Sequence, residues 1–240
     1  MNKIPQFKDM IIYEDENFIF INKPAGISSL NERDISAVSI QKISKKYLPE
    51  SMLCHRIDKE TSGVLILAKN EQAYRETALK FESREISKTY HAVVEGQLNT
   101  LNKLIDIPLA VTKNGKAKID YKSGKNSQTI FSTLKIFTDF TLLECKPVTG
   151  RLHQIRIHIA SQNFPITGDV EYGGHIPMLS SMKKKFNSSK NEEEKGMIQR
   201  VALHAYSVSY SAFEKVYEIV APYPDDFKVL LKNLEKYNSR

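Results

Sequence analysis

CHRIDKETSGVLILAK, residues 54–69, is the stretch from which the rest of the chain can be read. It begins polar, passes through Thr61-Ser62-Gly63 and ends in VLILA (64–68). An apolar run this short, entered through a Gly turn, predicts a buried strand. Asn70 then offers a good N-cap for a helix reaching about Phe81. A polar turn rooted on a buried strand holds a side chain outward on a rigid base. Arg56 and Asp58 stand two apart in that turn, so extended chain faces them the same way. A plainer reading also stands: Asp-x-x-Thr-Ser-Gly is ordinary turn chemistry, with Asp or Thr capping backbone amides.

Upstream, IIYEDENFIFINKPAG (11–26) predicts two short strands about Asp15-Glu16-Asn17, closed by a Lys-Pro-Ala-Gly turn. AVSIQKISKKYL (37–48) sets Ala37, Ile40, Ile43, Tyr47 and Leu48 on roughly one helical face. Downstream, TYHAVVE (89–95) predicts a strand ending at Gly96. Hairpin signals follow at Asn114-Gly115 and Ser123-Gly124. β-Branched and aromatic residues then lead to another strand, FTLLECKP (140–147). VALHAYSVSY (201–210) and VYEIVAP (216–222) predict two more strands, and PDDFKVLLKNLEKY (224–237) a terminal helix opening on an Asp N-cap. SSMKKKFNSSKNEEEKG (180–196) is apolar-poor, with unlike charges, and is read as a surface insertion. The irregular mixture predicts an α+β fold, a mixed, mostly antiparallel sheet with flanking helices, and 240 residues fit one large domain or two small ones.

Composition narrows the function classes. Thirty-five Lys and Arg against 28 Asp and Glu leave a net charge of +7, which raises the chance of a polyanionic partner without naming one. With 41% hydrophobic residues and 11 each of Phe and Tyr, the chain is not of the disordered class. Cys54 and Cys145 form no CxxC pair, so a reduced, cytoplasmic protein is expected. MNKIPQFKDM lacks a secretory apolar core, and no run is long enough to span a bilayer.

A second island, PVTGRLHQIRIHIASQ (147–162), places Arg151, His153, Gln154, Arg156 and His158 among Leu152, Ile155, Ile157 and Ile159. As a helix capped near Thr149, it turns Leu152, Ile155 and Ile159 to the core and holds Arg156 at the edge of that face. A cation there requires a carboxylate partner, because a buried unpaired charge is expensive. Arginines on a single helix more commonly just reach solvent. No metal is expected: His153 and His158 are five apart, about 140° around a helix and on opposite faces of a strand. Neighbouring Cys54 and His55 do not make a catalytic pair, and no phosphate-cradling glycine motif is present. Tyr90 is by default a core ring, and beside a basic cleft it can stack on a nucleobase.

HRIDKETSGVLILAK, KTYHAVVEG, GKNSQT, PVTGRLHQIRIHIAS and ITGDVEYGG occur in this order, with FINKPAG before and ALHAYSV after. Together they resemble the motifs of the RluA-type pseudouridine synthases, from about Met10 to Leu234. Within that family the chain is similar to members without the accessory N-terminal RNA-binding domain. Two features depart from the pattern: the length of the 180–196 insertion, and SYSA (209–212) where the family often has a His-Pro turn.

The resemblance implies the pseudouridine synthase fold, one catalytic domain spanning 1–240, with a central RNA-binding cleft. It also implies an isomerase that converts uridines of rRNA or tRNA without metal, nucleotide or redox cofactor, acting as a monomer and without a membrane. Asp58 becomes the essential carboxylate, attacking the anomeric carbon or removing a sugar proton. Either role needs it ionised, which a neighbouring cation favours. Arg156 matches the family's basic partner to that aspartate, Tyr90 the residue stacked on the target base, and Arg56 the residue that fills the gap left by the flipped uridine. His55, Thr61, Arg151, His153 and Gln154 lie in the same motifs and are implied to bind substrate. Lys113, Lys116, Lys118, Lys122 and Lys125 can grip phosphates along 112–125, or simply solvate a hairpin face.

Overall fold

In chain order the elements are α1 (Phe7–Met10), β1 (Ile11–Glu14), β2 (Phe18–Lys23), α2 (Ile40–Tyr47), β3 (Met52–Leu53), β4 (Ser62–Ala68), α3 (Glu71–Glu82) and β5 (Ser87–Glu95). There follow β6 (Lys103–Asp106), β7 (Leu109–Val111), β8 (Ala117–Ile119), β9 (Gln128–Ile136), β10 (Phe140–Pro147) and α4 (Gln154–Ala160). A 3-10 turn (Val170–Tyr172), β11 (Leu203–Ala212), β12 (Lys215–Val220) and α5 (Asp225–Tyr237) complete the chain. The structure, a computed structural model, describes residues 5–32, 34, 36–183 and 194–239. Most of the 180–196 insertion lies outside them. The mixture is α+β, as expected, and its strand pairings are mostly antiparallel. Among the described residues no helix is long and apolar enough to cross a membrane.

Contacts divide the chain into two units, one running to Thr89 and resuming at His204–Pro222, the other formed by Tyr90–Leu203 and the residues from Tyr223. In the first, β4 pairs antiparallel with β2 along its length. Its other edge is shared: Ser62 and Gly63 run parallel to His204 and Ala205 of β11, while Leu67 and Ala68 meet β3. Covered on both edges and both faces, all seven residues of β4 are buried, which accounts for its unbroken apolar run. Phe18 and Phe20 of β2 join Val64, Ile66 and Ala68 of β4 and Ala73 of α3 in one core cluster with Tyr210 and Tyr217. Asn70 caps α3 as expected, its side chain accepting from the Ala73 N–H at 2.8 Å. α2 is shorter than the 37–48 face suggested, because Ser39 caps it and the helix begins at Ile40.

The second unit carries β5, β10, β9 and β6 in antiparallel order. Their core is closed by Ile155 and Ile159 of α4 and by Phe227, Leu230 and Leu234 of α5. Two helix starts differ from expectation. α4 is not capped by Thr149, whose hydroxyl bonds Gln154 instead; it begins at Gln154 after His153, which sits at φ +50°. α5 has Pro224 at its N-cap, so both aspartates fall inside its first turn, where the Asp226 carboxylate meets Arg200 at 2.7 and 3.0 Å. The Asn114-Gly115 signal marks the β7–β8 hairpin, whereas Ser123-Gly124 closes a turn whose return reaches β7 only through Lys125.

Candidate active site

Asp58 sits in a turn whose flanks are pinned from both sides. Before it, the Ile57 N–H donates to Ser29 Oγ at 3.1 Å and its carbonyl accepts from the same hydroxyl at 2.7 Å. After it, the Lys59 carbonyl accepts from the Gly26 N–H at 2.8 Å and from Lys23 Nζ at 3.2 Å. Lys23 is wholly buried, and its ammonium also donates to the carbonyls of Pro24 (2.9 Å) and Ile27 (2.8 Å). A buried ammonium is tolerable only when its donors are satisfied, and these three carbonyls supply that. The Lys-Pro-Ala-Gly turn is therefore a clamp on the turn that bears Asp58.

Exposure alternates along the turn as extended chain requires: Arg56 is exposed, Ile57 buried and Asp58 half-buried. Thr61 is buried, with its N–H on the Asp58 carbonyl at 3.1 Å. His55 serves the scaffold, since its Nε2 accepts from the Ile66 N–H at 3.1 Å. Burial, and secondarily the charge of Lys88, push its pKa down to about 3, keeping the ring neutral as an acceptor must be. Gly63 lets β4 approach β11: it holds φ +117°, and a Cβ there would lie 2.1 Å from the Ala205 carbonyl oxygen.

In the second unit the residues gather at the start of α4. Gln154, buried, accepts from Thr149 Oγ1 (2.7 Å) and the Arg151 N–H (3.0 Å), and donates to the Gln128 carbonyl and Thr129 Oγ1, both at 2.9 Å. Its amide thus ties the turn to β9. Arg156, 6% exposed, makes a two-pronged ion pair with Asp169, with Nε and Nη2 each 2.7 Å from a carboxylate oxygen. Nη2 also reaches Glu171 at 3.0 Å, and the guanidinium lies 4.9 Å from the centre of the Tyr172 ring. His153 Nδ1 meets the Tyr172 hydroxyl at 2.9 Å, and that hydroxyl donates to the Ala117 carbonyl at 3.2 Å. Burial first, then the charge of Glu171, raises the Tyr172 pKa to about 12, so the phenol keeps its proton. Arg151 is exposed, its Nε on the Asn126 carbonyl. Tyr90 stands opposite Cys145 on β10, half-buried against the unit's core.

Residues 17–161, which include Asp58, Tyr90 and Arg156, match the model of a family described as RNA pseudouridylate synthase. The chain belongs to the RNA pseudouridylate synthase family. This synthase is of the RluA type and an isomerase of RNA uridines. It is 38% identical over 240 residues to ribosomal large subunit pseudouridine synthase C of Buchnera aphidicola, covering 95% of this chain and 71% of that one. Identity with ribosomal large subunit pseudouridine synthase D of Borreliella burgdorferi is 33%, covering 94% and 68%. Human RNA pseudouridylate synthase domain containing 4 shares the fold at a TM-score of 0.73 and 23% identity, covering 95% of this chain and 94% of that one.

The sequence reading of the synthase demanded a carboxylate for Arg156 and found only Asp58. In the structure Arg156 is paired with Asp169 and Glu171, from the GDVEY segment 13 and 15 residues downstream. Their i, i+2 spacing about a buried arginine was the available signal. It also missed Lys23, hidden at the end of the apolar run FIFIN. His158 goes to structure, bonding Thr129 Oγ1 and the Ile107 carbonyl. Asp58, Arg56, His55 and Thr61 belong to the first unit, and Tyr90, Arg151, His153, Gln154 and Arg156 to the second.

Proposed function

We propose that the chain isomerises uridines of large-subunit ribosomal RNA to pseudouridine, its two units serving as a single catalytic domain. Asp58 acts on the sugar of the flipped uridine, by attack on the anomeric carbon or by removal of a sugar proton. The base detaches, turns and rejoins through a ring carbon. Tyr90 stacks on that base and Arg56 fills the vacated place in the RNA, where flipping costs roughly a few kcal/mol. Arg156 is assigned as the basic group that favours the charged form of Asp58. No cofactor enters the reaction.

The observation that carries this reading is the family match across a span holding Asp58, Tyr90 and Arg156. Two local features support the roles. The Asp58 turn is pinned on both flanks, which keeps a reacting carboxylate in place without ordering it at each turnover. Arg156 is buried and held by Asp169 at Nε and Nη2 and by Glu171 at Nη2, which fixes the guanidinium in one orientation. The substrate class follows the relatives, which are named for the large ribosomal subunit.

Asp58→Asn, which keeps the shape of the side chain, should lower pseudouridine formation on cellular RNA by more than about 100-fold. Undiminished turnover would sink the assigned mechanism. Mapping pseudouridines in cells with and without the gene should show losses in large-subunit rRNA; losses confined to tRNA would overturn the substrate.

A further inference from the structure

We propose that Tyr121 is a stacking platform for an unpaired base of the RNA, set among lysines that grip the flanking phosphates. The inference rests on the RNA reading above and adds a contact away from the reacting uridine.

Of the eleven tyrosines, only Tyr121 and Tyr74 are exposed, at 76% and 37%. Tyr121 makes no ring contact and no hydrogen bond among the described residues. Its backbone, in contrast, is tightly held. The Asp120 carboxylate accepts from the N–H groups of Lys122 and Ser123, both at 3.0 Å, and from Ser123 Oγ at 2.9 Å. Lys118 pairs with it at 3.2 Å, and together these bonds hold the Asp120 carboxyl far below the usual carboxylate range. The Asp120 N–H bonds the Pro108 carbonyl, and Gly124 closes the turn so tightly that a Cβ there would lie 2.3 Å from the Asp120 carbonyl oxygen. The backbone that carries the ring is ordered before any ligand arrives, so binding has to fix only the side chain, as suits a preformed contact.

The surroundings indicate the ligand. Residues 111–126 hold five lysines and one aspartate, a charge of 5 − 1 = +4, more than half the chain's net +7. Lys113, Lys122 and Lys125 are exposed and have no ion-pair partner among the described residues. Arg151 extends the patch to Asn126. Cations around one presented aromatic face match a strand of phosphates with a splayed base. The hairpin's base is tied to the partners of Arg156: Ala117 accepts from the Tyr172 hydroxyl, and Lys116 lies 3.6 Å from Glu171.

The test uses the full chain and a fluorescein-labelled twelve-nucleotide oligouridine, with affinity measured from 50 to 200 mM salt. Tyr121→Ala should weaken binding about 5- to 150-fold with an unchanged salt slope, whereas Tyr121→Phe should bind as the parent does. Lys113→Gln/Lys122→Gln/Lys125→Gln should keep the ring but lower the slope of log K against log salt by about 2. Equal affinity of Tyr121→Ala and parent would overturn the proposal, as would an equal loss in Tyr121→Phe. Because the assay reads affinity without turnover, its outcome is separate from that of Asp58→Asn, on which the catalytic reading stands.

Discussion

Replacing Asp169 with alanine removes two hydrogen bonds of 2.7 Å from a guanidinium that is 6% exposed. Bonds to charged groups contribute about 1.5–3 kcal/mol each, and breaking a buried ion pair costs about 3–5 kcal/mol. Glu171, its side chain 26% exposed, keeps its 3.0 Å contact and places the expected loss near the lower bound, about 3 kcal/mol. For a chain of this length that corresponds to a drop in Tm of about 6–12 °C. The chain has no Trp, so unfolding in urea is best followed by far-UV circular dichroism. Glu171→Gln should cost no more than about 1 kcal/mol, since a more open pair is screened. In Arg156→Leu/Asp169→Leu the two losses should fall short of additivity, because no buried charge is left behind. An Asp169→Ala cost below about 1 kcal/mol, or additivity in the double variant, would refute the reasoning.

Lys23→Met keeps the stem and removes the donors to three carbonyls, so stability should fall by about 1–3 kcal/mol and hydrogen exchange at the Gly26 amide should quicken. Unchanged exchange and an unchanged urea midpoint would show that the ammonium does not clamp the Asp58 turn. A second expectation concerns acid. Burial pushes the His91 pKa down to about 4 and, with the charge of Lys88, that of His55 to about 3. Burial also lowers His158. Unfolded imidazoles bind a proton below about pH 6.5, while these native rings stay neutral to lower pH, His91 to about 4 and His55 to about 3. Their stabilisation is therefore complete above about pH 6.5 and is lost as pH falls toward 4, each ring contributing at most about 1.4 kcal/mol per pH unit. The exposed His175–Glu95 pair, whose histidine pKa is raised, acts in the opposite sense. Denaturant midpoints that stay flat between pH 6.5 and 4.5 would contradict this account.

The elements that were legible in advance share one property: their signal is local. VLILA is buried at every position, FTLLECKP is β10 residue for residue, and Asn70 caps α3, because period, capping and turn chemistry act within a few residues. β6 gave no such signal. As the edge strand beside β9 it buries only Ile105 and leaves Leu104 exposed, so no alternation marks it. The expected Asp cap of α5 failed for a different reason: the helix starts one residue earlier, after Pro224, and its Asp226 pairs with Arg200, 26 residues away.

The candidate site divides along the same line. Sequence alone determined which residue types stand in which motif: Asp58 in a polar turn before a buried strand, and Arg156 on an apolar helix where only a paired cation can be buried. Tertiary structure decided who satisfies them. Asp169 and Glu171 come to Arg156, Lys23 and Ser29 come to the Asp58 turn, and His55 and Gln154 are spent on the backbone of their own unit. The reason is physical: a buried charge or carbonyl must be satisfied, but any group of the right chemistry will do, and chain folding alone selects which one arrives.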